Sequence, residues 1–477
     1  MKISRLTYRV ALAAGVVGIA IAAARPAEAQ VRSLNDALAL TYATNPALLA
    51  ARAQLRAIDE NVPQALAGWR PQVSISANAG YIDGTTQQYI RPTTFTRGRT
   101  VESNALRGSN TESITLTQPL FRGGATRANT NRAENQVMAQ RAALIGSEQT
   151  AFSSAVNAYV SVIQANQVLA LSINNEQVLN RQLQATRERF RVGEITRTDV
   201  AQAEAAFAGA TANRQSAEGD LQTARSAFLQ VIGEPASDRL AEPQPLRLPM
   251  RTIDEARALA ASNNPAVIAA LFNDAAARDN FDIQYSKLMP NLSLQGSLSR
   301  NEDVQQKDLT TKVGQVLMVL SIPLYQGGGE YAAIRQARQQ QLQTRQQVDD
   351  ARRQAIQQVT QAWNTYVAAR ATIGSTREQI RSNEIALEGV QREAIVGSRT
   401  TLDVLNAEQT LLNSRVTLVR NLGSLINASY TVAAAAGRLT ARDLNLNVPL
   451  YDETAYYKAV RNRLIGTGDY ATEQPGR

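Results

Sequence analysis

The residues best placed to do chemistry are carboxylates, and they come in short-range pairs. Thr196-x-x-Asp199 and Thr400-x-x-Asp403 have the spacing of a helix capping box, with Asp in place of the usual Glu or Gln. Asp349-Asp350 and Glu302-Asp303 are adjacent carboxylates of the kind that general acid–base work uses. The partners such chemistry needs are missing. The 477 residues include no His and no Cys. Neither a Ser-His-Asp nor a Cys-His nucleophile can be assembled, and no imidazole or thiolate exists to hold zinc, copper or haem. Disulfides are excluded too. Gly327-Gly328-Gly329 lacks the Gly-Lys-Ser/Thr of a phosphate loop and reads as a bend. Composition and motifs therefore point away from an enzyme, with no metal site and no cofactor expected.

What positions the two Thr-x-x-Asp segments is a unit written twice. Ser33 to Pro46 reappears as Thr252 to Pro265, and the match continues without a gap to Pro71 and Pro290, an offset of 219. From Gln118-Pro119-Leu120-Phe121-Arg122-Gly123-Gly124 and Ile322-Pro323-Leu324-Tyr325-Gln326-Gly327-Gly328 onward the offset is 204, as far as Gly233 and Gly437. The first copy thus carries 15 extra residues between Pro71 and Pro119. They fall in a Thr-, Arg-, Gly- and Asn-rich stretch that reads as a longer exposed loop. The reading divides the chain into residues 30–233, a Pro-rich linker at 234–250, residues 251–437, and a tail at 438–477.

Each copy has the same grammar. A helical stretch (33–66 or 252–288) is broken at Asn-Pro, where the residue before proline is pushed out of the helical region. Two alternating segments follow, giving predicted β-hairpins over 72–121 and 291–323. Val73, Ile75, Ala77 and Ala79 fall on every second position, as do Leu292, Leu294 and Leu298. Period two over about ten residues suits strands that cross a bilayer tilted. Then come proline-free stretches, Gly124–Arg191 and Gly328–Ile395, about 100 Å long as continuous helix. Phe152, Val156, Tyr159 and Ile163 make a 4-3-4 seam, echoed by Ile356, Thr360, Trp363 and Val367. After Val-Gly, a second helix returns, so helical hairpins span 124–233 and 328–437. The fold class is mostly α with a small β part.

Targeting follows from the N-terminus. Lys2, Arg5 and Arg9 precede the apolar run Val10–Ala24 and an Ala27-Glu28-Ala29 cleavage pattern, so residues 1–29 read as a secretory signal. Of the net charge of +9, residues 1–29 supply Lys2, Arg5, Arg9 and Arg25 against Glu28, and the remaining basic residues are scattered. Nucleic-acid binding is not indicated. No segment beyond residue 29 offers 18 consecutive apolar residues, the length a spanning helix needs. Four strands cannot close a lipid-exposed barrel alone, so membrane strands here require more than one copy of the chain.

The duplication, the Pro-Leu-(Phe/Tyr)-x-Gly-Gly junctions and the Val-Gly-x-x-Thr-x-x-Asp-Val turns together resemble the TolC family of outer-membrane efflux proteins, over about residues 31–440. The resemblance implies a homotrimer in outer-membrane lipid, with a 12-stranded barrel above a periplasmic α-barrel. It implies a periplasmic adaptor and an inner-membrane ABC or proton-driven pump as partners. The cargo would be proteins (type I secretion) or small toxic compounds (tripartite efflux). It further implies a gate at the periplasmic tip, carried onto Arg399 with Thr198 and Asp199 opposite. The family's gate tyrosine falls at Ala394, so one link is missing; of two acidic rings, the first falls at Asp403 and the second at Asn406, which is neutral. The exposed turns Val192-Gly193 and Val396-Gly397 are the expected adaptor-docking points. Trp69 and Tyr81 are candidate membrane-interface anchors. The competing reading is a trimeric coiled-coil structural or adhesive surface protein, which would not need the duplicated strand pairs.

Overall fold

Asn-Pro does more than break a helix. In the computed structural model, which describes residues 31–237 and 239–468, Asn45 caps α2 (Pro46–Asp59) directly after α1 (Leu34–Thr44). Its Oδ1 accepts from the Ala47 and Leu48 N–H groups, while its Nδ2 donates to the Val231 carbonyl at 3.0 Å. Asn264 repeats the device, with Nδ2 on the Ala435 carbonyl at 3.1 Å. One side chain thereby satisfies the start of one helix and the end of another. The secretory-signal residues 1–29 lie outside the described residues.

Each copy follows the predicted order. In the first, α3 (Asn61–Leu66) and a short 3₁₀ turn (Ala67–Trp69) lead to β1 (Gln72–Ile90) and β2 (Arg99–Arg122). Then α4 (Ala125–Arg191) runs 67 residues, and α5 (Arg197–Ile232) returns over 36. In the second copy, α6 (Ile253–Asn263) and α7 (Pro265–Ser286) precede β3 (Asn291–Glu302) and β4 (Thr310–Ser321). There α8 (Gly329–Ile395) again runs 67 residues and α9 (Thr401–Ala435) returns over 35. The sheet-to-helix junction turns on glycine: Gly123 and Gly124 have φ of +59° and +89°, and Gly327 and Gly328 match them at +69° and +82°.

Two expectations are corrected. The 15 extra residues of the first copy do not form a longer loop. They extend the strands, with β1 paired to β2 as far as Ile90↔Arg99. Alternating Thr, Gln, Asn and Ser continue the ladder, and the connection is reduced to residues 91–98. The seam of the second copy also sits on a different face from the predicted one. Ala355, Val359 and Ala362 are buried, while Ile356, Thr360 and Trp363 are only half-buried and Val367 is exposed. Small residues at those positions let α8 and its neighbours approach closely, which decides the face.

The four strands form one antiparallel sheet in chain order, β1-β2-β3-β4. The largest core surrounds α4, where Phe152, Val156 and Tyr159 are buried by α1, α2, α5 and the segments at 236–248 and 439–451. One described helix, α4, is long and apolar enough to cross a membrane by composition, and a third of its most apolar stretch is buried. The tail crosses the same region and ends in α10 (Ala455–Val460). Glu148 accepts from the Ala441 N–H at 2.6 Å, and the Tyr42 hydroxyl accepts from the Tyr451 N–H at 3.0 Å. The Arg52 guanidinium lies 4.5 Å from the Tyr42 ring centre and 5.2 Å from that of Tyr451.

Candidate functional site

Two regions carry unfinished business: the sheet and the helical tips. In the sheet, alternation sorts the side chains by face. Register puts Val73, Leu116, Gly296 and Val316 in one row, and Ile75, Ile114, Leu298 and Gly314 in the next. Ile75 and Val316 are 75% and 73% exposed, far more than a soluble sheet tolerates across a whole face. The following row on that face is Ala77, Glu112, Arg300 and Lys312, which ends the apolar band in charge. The opposite face is mostly polar, with rows such as Ser74, Thr115, Ser297 and Gln315, although β4 adds Val313 and Leu317 to it. Trp69 and Tyr81 are both exposed, at 45% and 86%. Among the described residues β1 and β4 each pair on one side only. Two unpaired edges on an apolar-faced sheet demand closure wherever lipid replaces water.

The tips are built alike from the two copies. At the first, the Gly193 N–H donates to the Phe190 carbonyl at 3.0 Å and the Glu194 N–H to that of Arg189 at 3.0 Å. Gly193 takes φ +79° and Gly397 takes +81°, the left-handed helix stop predicted. Thr196 then opens α5: its N–H donates to Asp199 Oδ2 at 2.9 Å and its hydroxyl to the same oxygen at 2.6 Å. Thr400 and Asp403 repeat this at 2.9 and 2.8 Å. Both capping boxes predicted from spacing are present. These bonds hold both carboxyls below the ordinary range: the Thr196 hydroxyl acts chiefly on Asp199, the Thr400 backbone N–H on Asp403. Thr198 and Asn406 are exposed, and Val192 and Val396 stand 77% and 78% exposed.

The two turns differ in how charge locks them. Arg189 pairs with Glu194 across the first turn. In the second, Glu393 occupies the place of Arg189, and Arg399 Nε pairs with it at 2.9 Å. The staple is inverted in sign. Within one chain, therefore, Arg399 meets Glu393 and Asp199 meets Thr196; the structure does not bring Arg399 and Asp199 together. Sequence reasoning missed Arg189, Glu194 and Glu393. Their opposite charges flanking each Val-Gly stop were the available signal. One turn further in, Arg187 donates to Glu204 at 2.7 Å, and Gln391 to Glu408 at 3.1 Å, the same positions in the repeat. Among the described residues no group of three or more carboxylates is placed to hold a metal ion. Asp349 and Asp350 are solvated on α8, bound to Arg352 and Gln354.

Residues 20–234 and 256–438 match the outer membrane efflux protein family, one segment for each copy of the repeat. The chain belongs to that family. Its relatives include the outer membrane efflux protein BepC of Brucella suis, 36% identical over 438 residues that cover 91% of each chain. Outer membrane protein TolC of Escherichia coli is 25% identical, covering 87% of this chain and 84% of its own. The fold matches that of CusC with a TM-score of 0.73 at 15% identity, over 85% of this chain and 92% of that one. Like other outer membrane efflux proteins, it is an export channel component of the outer membrane.

Proposed function

We propose that three copies of the chain close edge to edge into a 12-stranded barrel in outer-membrane lipid, continued below by a barrel of long helices. The resulting duct is passive. A periplasmic adaptor and an inner-membrane ABC or proton-driven transporter load it, for type I secretion of proteins or efflux of small toxic compounds. The observation that carries this reading is the open-edged sheet with one apolar face, mounted on two 67-residue helices. A sheet of four strands satisfies its backbone in lipid only by borrowing edges from its neighbours. Because the chain lacks Cys, introduced thiols are the only ones present. Cysteine pairs scanned between β1 (74, 76, 78) and β4 (313, 315, 317) should give covalent trimers on oxidation. No cross-linked species at any register in folded protein would contradict it.

The tips form the regulated end. Arg399 of one copy exchanges its own Glu393 for Thr198 and Asp199 of another when the duct is shut. Exposed ion pairs contribute about 0–1 kcal/mol each, so a threefold set is a gate of a few kcal/mol. An adaptor needs about 5.5 kcal/mol of differential binding to swing such an equilibrium from 1:99 to 99:1. The gate holds and can still be opened. Adaptor docking falls on Val192-Gly193 and Val396-Gly397, whose exposed apolar side chains and bare glycines admit a partner helix end. Photo-crosslinkers at Val192 and Val396 should capture the adaptor in assembled complexes. Asp403 supplies one ring of negative charge, and Asn406 leaves the next position neutral.

A further inference from the structure

The insertion that lengthens the first hairpin serves neither the barrel wall nor the helical tips. The second hairpin ends at Glu302↔Thr310, in the row that also holds Ala79 and Asn110. From there β1 and β2 run on alone through eleven further rows to Ile90↔Arg99, about 35 Å of two-stranded ribbon. The apolar band gives way to charge before that point, at Glu112, Arg300 and Lys312. The ribbon therefore stands clear of the lipid, on the side away from the helices. At its tip Thr93 and Thr96 exchange backbone hydrogen bonds of 3.0 and 3.2 Å, which closes residues 91–98 into a short turn.

Strand alternation sorts the charges of this sheet by sign. All four strand carboxylates, Asp83, Glu102, Glu112 and Glu302, fall on the face that carries the apolar band. The polar face has none, and its charges on the ribbon are Arg99 and Arg107. The tip continues the pattern: residues 91–99 hold Arg91, Arg97 and Arg99 without a carboxylate, and all three are exposed. Arg107 is half-buried and pins the turn of the second hairpin, donating to the Asp303 carbonyl at 2.5 Å and to that of Val304 at 2.6 Å. Glu302 pairs with Arg300 on its own face; among the described residues none of the four ribbon arginines has a carboxylate partner. Guanidinium forks without a counter-charge are ready donors for phosphate or carboxylate oxygens.

We propose that the ribbon makes the outer mouth of the duct a binding site for multivalent anions, with Arg97 and Arg99 as the principal contacts and Arg91 and Arg107 adding to the field. Phosphate carries about −1.5 to −2 per group near neutral pH and three acceptor oxygens, so phosphorylated compounds are the favoured class. The site rests on the duct reading, which turns the polar face of the sheet toward the bore. Three copies then repeat these arginines around one axis, with no strand carboxylate facing them. Charge of one sign lining a mouth concentrates its counter-ions and repels its like. The outer end thus favours anions, opposite in sign to the Asp403 end.

The experiment is single-channel recording of the full chain in planar bilayers, with inositol hexakisphosphate as the probe. Protein is added to one chamber; its long polar helices cannot cross the bilayer, so the ribbon faces the opposite chamber. The probe should block current from the ribbon side at a concentration at least tenfold lower than from the helix side. Raising the salt from about 0.1 to 1 M should relieve the block, as screening demands. Arg99→Gln should weaken it at least fivefold and Arg99→Glu at least tenfold, at an exposed position that leaves the fold intact. Glu102→Gln, on the other face, should leave it within twofold. Equal block from both sides, or block that Arg99→Glu leaves intact, overturns the proposal. The β1–β4 cross-link on the same preparation separates the two readings. Cross-linked, conducting trimers without ribbon-side block refute the anion site alone; protein that neither cross-links nor conducts refutes the duct and the site with it.

Discussion

The two copies of the repeat reach the middle of the molecule with the same helical grammar and end up in different company. Around α4 of the first copy, Phe152, Val156 and Tyr159 are sealed by α1, the linker and the tail into one large core. Around α8 of the second, a smaller cluster forms from Ala355, Val359 and Ala362 against α6 and Met250. The tail makes the difference. It follows the second copy in the chain but docks on the first, where Tyr456 reaches Glu60 at 2.9 Å and Arg461 reaches Glu134 at 3.0 Å. Duplication supplied two equal arms, and an appended segment anchored only one. The second copy, packed in the smaller cluster, carries Arg399 at its tip.

The sharpest way to break this contrast is a matched pair of truncations at equivalent positions. Phe152→Ala empties a fully buried site and should cost about 3–5 kcal/mol. Ile356→Ala, its counterpart on α8, is only half-buried and should cost about 1–2 kcal/mol on the same reasoning. Thermal melting of the two purified variants compares them; equal losses would mean the waists are equally anchored.

The anchored side also contains a titrating fault. Asp59 is fully buried, neither carboxylate oxygen has a hydrogen-bond partner, and burial pushes its pKa from 3.8 up to about 7. Arg141 and Arg56 offset this, while Glu60 and Glu453 add to it. A carboxyl whose folded pKa is raised contributes stability that is fully present below pH 3.8 and is lost as pH rises through about 7. The span corresponds to roughly 4 kcal/mol. Asp59→Asn should flatten the melting profile between pH 4 and 7 and raise the midpoint at pH 8. A wild-type profile already flat over that range would contradict it.

Smaller effects are expected at the tips. Replacing Arg399 and Asp199 together should raise single-channel conductance in planar bilayers, whereas Arg189→Ala in the anchored arm should change it far less. Equal responses would remove the distinction between the arms. Smallest is the ring charge. Asn406→Asp should strengthen cation preference, read as a reversal-potential shift in a salt gradient, and Asp403→Asn should weaken it.

Much of this architecture was legible in the residues, because repeats, prolines and glycines act locally. The Asn-Pro breaks, the Gly-Gly junctions and the Val-Gly stops fix where elements begin and end without help from tertiary contacts. The capping boxes at Thr196 and Thr400 were legible for the same reason. What escaped was decided at longer range. The Thr- and Asn-rich insertion of the first hairpin looks like loop by composition, yet it continues a ladder already in register. The face of α8 that packs was hidden because Ala355 and Ala362 matter by their smallness, which periodicity of large apolar residues does not register. At the tips, Glu393 holds the arginine that the resemblance set opposite Thr198 and Asp199.

The central claim is that this chain is one third of a hollow cylinder, and a three-dimensional reconstruction of the detergent-solubilised particle tests it most directly. It should show three copies around an open bore, twelve strands at one end, and the Val192 and Val396 turns converging at the other. A particle holding a single chain, or one whose helices pack solidly about the axis, would contradict it.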